Sequence, residues 1–253
     1  MLKDTAQKAL SLLDLTDLTD TCDAAAIEKL CAQAQTPFGT TAAICIWPRF
    51  VAQARGILGK DHAVKIATVV NFPSGGLAVA EVVAETKQAI ADGADEIDLV
   101  IPYRDFIAAD EAAVTEMVAA VKAACTPPVL LKTILETGEL KDPALIREAS
   151  DLAIAAGADF IKTSTGKVSV NATLQAAEIM LNAIKASGKP VGFKPAGGVR
   201  TVSDAAEYLA LAASILGDGW ATPKTFRFGA SSLLGDILSV LGGQSAPSAP
   251  ASY

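Results

Sequence analysis

The sequence predicts a closed (β/α)8 barrel, the TIM-barrel architecture, with extra helices ahead of the first strand. Three observations point there. Short Val- and Ile-rich runs alternate with amphipathic stretches, the pattern of a parallel sheet covered by helices. The 253 residues suit one barrel, although length alone also allows two small domains. An internal echo relates Ala89-Ile90-Ala91-Asp92-Gly93-Ala94-Asp95-Glu96-Ile97-Asp98 to Ala153-Ile154-Ala155-Ala156-Gly157-Ala158-Asp159-Phe160-Ile161-Lys162. In each copy the glycine ends a helix and a strand begins at once. A doubly wound open sheet is the alternative.

In chain order, residues 5–13 and 24–34 read as helices that precede the barrel. Strands follow at 41–47, 64–72, 96–102, 129–136, 159–165, 191–196 and 226–229, each flanked by Gly, Pro or Asn. A weaker strand candidate at 211–216 could equally end a helix. Helices at 79–91, 111–124, 143–156, 173–186 and 203–210 fill the intervals. Glycine at 229 turns the chain into one more helix. On this count the echoing strands are the third and fifth. Alternate barrel strands supply the same interior layers, so Asp98 and Lys162 should face one layer. Nothing divides residues 1–241 into domains. Residues 242–253 are small, polar and proline-containing, and read as a mobile tail.

Composition excludes several functions. Hydrophobic residues are 51% and aromatics 5%, so the core is aliphatic. A net charge of -7 argues against broad nucleic-acid or anionic-membrane binding, while leaving room for a local phosphate site. His62 is the only histidine, so a multi-histidine zinc site is excluded and no metal is expected. Cys22, Cys31, Cys45 and Cys125 form no CxxC pair and read as reduced thiols of a cytoplasmic protein. No apolar run is long enough for a bilayer, and no signal-peptide pattern opens the chain.

Chemistry is expected from lysines. Phe160-Ile161-Lys162-Thr163-Ser164-Thr165-Gly166-Lys167 places a lysine in a buried strand, followed by a polar glycine loop. Burial disfavours an ammonium, and chains tolerate that cost where a neutral amine is useful toward a carbonyl. Lys132 and Lys194 lie in the neighbouring strands. Three lysines converging on one barrel mouth should lower one another's proton affinity. An amine that is partly neutral can form an imine, and Asp98 could move protons beside it. From that pair alone, a purely structural Asp–Lys contact is the simpler reading; the convergence of lysines with a phosphate loop favours catalysis. Gly197-Gly198-Val199-Arg200 follows the sixth strand on this count, and Gly229-Ala230-Ser231-Ser232 enters a helix. Glycine backbones and helix N-termini present N–H groups to anions. Lys167 adds charge. Ser231 and Ser232 could instead be a plain helix cap.

These stretches, together with Gly192-Phe193-Lys194-Pro195-Ala196-Gly197-Gly198, Arg227-Phe228-Gly229-Ala230-Ser231-Ser232, Glu136-Thr137-Gly138-Glu139-Leu140 and Thr41-Ala42-Ala43-Ile44-Cys45-Ile46, resemble class I deoxyribose-phosphate aldolase. The resemblance runs over residues 12–234 and is nearest the longer, enterobacterial-type branch, whose tail also ends in tyrosine. It implies a metal-free, cofactor-free barrel that reversibly cleaves 2-deoxy-D-ribose 5-phosphate to acetaldehyde and D-glyceraldehyde 3-phosphate, in deoxyribonucleoside catabolism. It implies that Lys162 is the Schiff-base lysine and that Lys194 is the cation lowering its proton affinity. Asp98 becomes a proton relay working with an ordered water. Thr165, Lys167, Gly197, Gly198, Val199, Arg200, Gly229, Ser231 and Ser232 surround the phosphate. Asp14 and Thr16 lie near the substrate's hydroxyls, Cys45 lies near the pocket, and Tyr253 visits the site from the tail. Trp47 stands where a tyrosine is common, and Asn71-Phe72-Pro73-Ser74-Gly75-Gly76 lacks a histidine that some members have. Family members often pair, so a homodimer is expected. Two other readings fit the residues: another lysine-dependent lyase or transaldolase-like barrel, and a non-enzymatic sugar-phosphate binder that leaves the buried lysines idle.

Overall fold

The computed structural model describes residues 2–243. Eight parallel strands form the barrel: β1 (Leu13–Asp17), β2 (Ala43–Ile46), β3 (Lys65–Val70), β4 (Glu96–Val100), β5 (Leu130–Ile134), β6 (Phe160–Lys162), β7 (Gly192–Lys194) and β8 (Phe228–Ala230). Consecutive strands pair in order, and β8 returns to β1 with Asp14 opposite Gly229. Bridges Phe193–Phe226 and Ala196–Gly229 join the β7 and β8 segments and complete the ring. A two-stranded antiparallel hairpin, Gln35–Thr36 with Gly39–Thr40, lies outside the barrel.

The helices begin where the sequence supplies caps. Asp23, Asp110, Asp142 and Thr173 each accept a bond from the first helical turn, which satisfies backbone N–H groups that would otherwise have no partner. The echo is visible in three dimensions. Asp95 accepts from Ile66 N at 2.8 Å and pairs with Arg55 at 2.6 Å. Asp159 accepts from Leu131 N at 2.8 Å and pairs with Lys122 at 2.6 Å. Each aspartate ties the bottom of its strand to the preceding strand and to a helix, so the echoing units share the same anchoring contacts.

Strand periodicity divides the interior. Side chains two apart on a strand face the same way. On β2 and β3 the inward set is small and apolar, and Ala43, Cys45, Ala67 and Val69 form a cluster of their own with Leu18. From β4 round to β1 the inward positions include seven ionisable residues, Glu96, Asp98, Lys132, Lys162, Lys194, Arg227 and Asp14, all buried. The outward residues of the strands join the helices in a second, larger aliphatic core.

Two strand assignments need correction. The strand missing from the sequence count is the first, Leu13–Asp17, whose residues read there as the end of a helix and a loop. Residues 211–216 belong to the helix Val202–Leu216 and contribute no strand. Adding β1 makes the echoing strands the fourth and sixth, which are still alternate. It also moves the Gly197-Gly198 loop to the end of the seventh strand. Helices Val51–Leu58, Tyr103–Ile107 and Thr137–Leu140 escaped the sequence reading because they are short. Gly242 and Gly243 still hydrogen-bond to the last helix. The rest of the expected tail, Tyr253 included, lies outside the described residues.

Barrel closure leaves little room between β6 and β7. A Cβ on Gly192 would come within 2.4 Å of the Phe160 ring. Gly192→Ala is therefore expected to destabilise the fold by about 1–3 kcal/mol through overpacking, read from urea midpoints at unchanged m-value. An unchanged midpoint would mean that the ring swings aside freely.

Candidate active site

The seven interior ionisable groups make an ordered pattern. Lys132 Nζ lies 2.9 Å from Asp98 Oδ1 and 2.6 Å from Glu96 Oε2. Arg227 grips Glu96 at 2.7 Å and Asp14 at 2.7 Å. Lys194 Nζ lies 2.6 Å from Asp14 Oδ2 and 2.8 Å from Asp98 Oδ2. The path Asp98–Lys132–Glu96–Arg227–Asp14–Lys194 returns to Asp98. It is a closed ring of three acids and three bases in strict alternation. Lys162 stands outside it, attached at one point, with Nζ 2.7 Å from Asp98 Oδ2. It is also the one lysine of the set that lines the upper cavity.

Alternation fixes the charge states. Burial alone would neutralise each group. Against that burial, Lys132, Lys162 and Lys194 hold the Asp98 carboxyl well below its ordinary value. Lys132 and Arg227 do the same for Glu96, and Lys194 and Arg227 for Asp14. Burial likewise opposes the charge on Lys194, but Asp14 and Asp98 raise its proton affinity above the usual range. Lys132 is raised by Asp98 and Glu96. Converging lysines do oppose one another, as Lys194 does for Lys132, but the net direction for these two is upward. For Lys132 and Lys194 the interleaved carboxylates outweigh the repulsion and favour the ammonium form.

Above the ring sits a cavity of about 340 Å³, at the ends of the strands, lined by the loops after β6, β7 and β8. It gathers Thr16, Lys162, Thr165, Lys167, Gly197, Gly198, Val199, Arg200, Gly229, Ser231 and Ser232. The two glycine loops therefore follow the seventh and eighth strands, the usual phosphate position in such barrels. Gly197 and Gly198 have φ of 77° and 92°, and a Cβ on Gly197 would lie 2.8 Å from Asn171. Only glycine gives that turn without strain. Ser232 occupies the N-cap of Leu233–Leu241 but its side chain makes no capping bond, so the plain-cap alternative does not hold for it. Ser231, Ser232, Gly198 and Arg200 are exposed toward the cavity mouth. Among the described residues, Lys167 Nζ reaches Asp20, at 3.7 Å, and the face of Trp47.

Other candidates sit elsewhere. Asp98, Lys194 and Asp14 lie beneath the cavity floor, fully buried. Cys45 is also fully buried and does not line the cavity. Burial pushes its thiol up from the ordinary value. The Thr165 hydroxyl is committed to Glu136 Oε2 at 2.5 Å and accepts from Lys167 N at 3.0 Å, so it shapes the loop. Tyr253 lies outside the described residues.

Glu96, Arg227, Glu136 and Asn171 were not singled out from sequence. Glu96 had a signal: it is two residues from Asp98 on one strand and must share its face. Arg227 precedes β8 with the same parity relative to Gly229. Asn171 lines the cavity, and its Oδ1 is buried without a hydrogen-bond partner among the described residues. Nothing local to its loop announced that. Among the described residues no group of three or more His, Cys, Asp and Glu could hold a metal ion, and no helix is long and apolar enough to cross a membrane.

The depressed carboxylates set a pH dependence. A carboxyl whose folded pKa lies below its unfolded value stabilises the fold above about pH 4, and that stability is lost as pH falls through the folded value. Thermal melts are expected to stay nearly flat from about pH 8 to 5, because the ring carboxylates stay ionised throughout that range, and to collapse only below about pH 4. A main transition near pH 6 would contradict a charged ring.

Comparison with known proteins agrees with this geometry. The family model for DeoC/LacD family aldolases matches residues 8–238. A curated deoxyribose-phosphate aldolase of Agrobacterium fabrum (strain C58 / ATCC 33970) is 66% identical over 251 residues, 99% of this chain and 97% of that protein. Among solved structures, one from Toxoplasma gondii ME49 assigned as a deoxyribose-phosphate aldolase superposes with TM-score 0.86 at 25% identity, over 97% of this chain and 99% of that one. The tetrameric deoxyribose phosphate aldolase of Aeropyrum pernix gives TM-score 0.77 at 22% identity, over 94% and 96% of the two chains, and supports the fold alone. The match over nearly the full barrel places this chain in the DeoC/LacD aldolase family.

Proposed function

We propose that this chain reversibly cleaves 2-deoxy-D-ribose 5-phosphate to acetaldehyde and D-glyceraldehyde 3-phosphate by class I, Schiff-base chemistry, in deoxyribonucleoside catabolism. The observation that carries the reading is the position of Lys162. It is the one base left over from a neutral ring, and it opens onto a cavity walled by two glycine loops.

The steps follow from the groups in place. The open-chain sugar presents its C1 aldehyde to Lys162 Nζ, with the phosphate against Gly197, Gly198 and the start of Leu233–Leu241, and with Lys167 and Arg200 near by. The amine adds to C1 and sheds a proton, for which Asp98 at 2.7 Å is the nearest acceptor. Loss of water gives the protonated imine. Deprotonation of the C3 hydroxyl breaks the C2–C3 bond, whose electrons move into the C1–C2–N enamine. D-Glyceraldehyde 3-phosphate leaves. Protonation at C2 and hydrolysis then release acetaldehyde and restore the amine. Asp98 is held ionised by its three lysines, so it takes a proton only in passing and balances the cationic imine the rest of the time. Asp14 anchors Lys194 below, and Thr16 and Asn171 face the sugar hydroxyls.

Four free, buried cysteines suit a reducing cytoplasm. Assembly as a homodimer remains part of this proposal, with sedimentation to distinguish it from the tetramer of the Aeropyrum pernix relative.

Borohydride added with the sugar phosphate should reduce an adduct onto Lys162, located by peptide mass mapping. An adduct found only on Lys167 or Lys194 would overturn the assignment. Lys162→Leu should lower kcat by more than about 10³-fold while keeping the fold, because the remaining ring is still neutral. Cleavage of fructose phosphates in preference to the deoxyribose ester would favour the transaldolase-like alternative.

The phosphate wall has a separate expected signature. Lys167→Ala and Arg200→Ala should each raise KM by about 10-fold for the phosphorylated substrate and leave KM for unphosphorylated 2-deoxyribose nearly unchanged. Equal effects on both substrates would move the phosphate elsewhere.

A further inference from the structure

The proposed steps leave two buried charges unused. Glu96 opens β4 and Arg227 directly precedes β8, both on the floor of the barrel away from Lys162. They face a second cavity, of about 660 Å³, at the opposite mouth. Neither touches the upper cavity. Their contacts are nevertheless close and mutual. Arg227 meets Glu96 through both terminal nitrogens, at 2.7 and 3.1 Å, the bidentate geometry that fixes orientation as well as charge.

We propose that Glu96 and Arg227 are positioning residues, which close the interior ring of alternating charge and thereby keep Asp98 aimed at Lys162. The inference rests on the Schiff-base reading of Lys162. With Glu96 in place, Lys132 is shared between Glu96 at 2.6 Å and Asp98 at 2.9 Å, and Asp14 is 4.0 Å away. Without the Glu96 charge, Lys132 has Asp98 as its one close carboxylate. Asp98 then turns toward Lys132 and loosens its hold on Lys162. Arg227 acts through the other arm, since it holds Asp14, Asp14 holds Lys194, and Lys194 shares Asp98 Oδ2 with Lys162. Lys162 is held by Asp98 from β4, whose Oδ2 it shares with Lys194 from β7. Its charge also acts on Glu136 beyond β5 and Cys45 from β2, and Lys132 from β5 and Asp14 from β1 are linked to it through Asp98 and Lys194. Of these, Asp98, Lys132, Lys194 and Asp14 belong to the ring that Glu96 and Arg227 complete.

The test compares Glu96→Gln, which keeps shape and removes charge, with Glu96→Asp, which keeps the charge, in the full-length protein. Glu96→Gln leaves the ring with an excess positive charge, which favours the neutral amine. The expected result is a kcat at least about 10-fold lower, KM within about 2-fold, and the acid limb of kcat/KM displaced to lower pH by about half a unit or more. Glu96→Asp should restore the pH profile of the parent. Arg227→Lys, which keeps charge and loses the bidentate grip, provides the same kcat and KM readout should Glu96→Gln not fold. A pH profile that superimposes on the parent, with kcat reduced only in proportion to the unfolded fraction, overturns the proposal. Borohydride trapping on the parent separates the two readings. Trapping at Lys162 with an unaffected Glu96→Gln sinks the ring proposal alone, whereas no adduct at Lys162 sinks both.

Discussion

Strict alternation of six charges inside the barrel is the constraint on which the rest of this structure depends. An isolated buried lysine or carboxylate would be neutralised by its surroundings. Here every ring member lies between two groups of opposite sign, and these partners favour the charged form of each against the cost of burial. The arrangement also has a cost, since removing one partner of a buried pair typically loses about 3–5 kcal/mol. The ring is therefore rigid in composition as well as in geometry. Its members come from β1, β4, β5, β7 and the residue before β8, so its contacts also tie opposite walls of the barrel together.

Parity gives Lys162 its special place. Three acids and three bases balance, and a seventh ionisable group has no carboxylate of its own. Lys162 borrows one oxygen of Asp98, which Lys194 also uses. The same fold thus favours the charged form of two lysines and leaves a third beside the cavity, with no metal-ligand cluster among the described residues. Position reinforces the distinction. Lys132 and Lys194 are completely inaccessible, while Lys162 retains a small opening to the cavity.

Much of this was legible in the sequence, and the failures have physical causes. The echo between the segments ending at Asp98 and Lys162 placed both on alternate strands, because glycine-terminated helices and inward-facing positions recur at fixed spacing. The miscounted strand is instructive. In Leu13-Asp14-Leu15-Thr16-Asp17 the leucines face the helices while Asp14 and Thr16 face the barrel, which reverses the usual polarity of a half-buried strand. A charged interior disguises a strand as a loop. The same reversal hid Glu96, although its two-residue spacing from Asp98 marked its face. The raised proton affinity of Lys132 and Lys194 was illegible for another reason: it depends on which carboxylates interleave with the lysines, and strand register decides that.

The loop after β6 shows how the proposed nucleophile and the proposed phosphate grip are kept in step. Lys162 and Lys167 belong to one short segment, so any movement of that segment displaces both. Glu136, buried at the end of β5, restrains it by accepting from Thr165 N at 3.1 Å and from the Thr165 hydroxyl. Burial pushes the Glu136 carboxyl up from its ordinary value, and the Thr165 bonds together with the nearby Lys162 charge limit the rise. To make these contacts Glu136 adopts φ of 58°, a left-handed conformation that costs a non-glycine residue about 1–3 kcal/mol. Strain of that size persists only where the neighbours over-determine the residue. Here Leu135 N and Thr137 N extend the β5–β6 ladder past Glu136 on both sides, to Lys162 O and Thr163 O. The ladder that positions the amine is therefore the same one that holds the strained glutamate, and through it the phosphate loop.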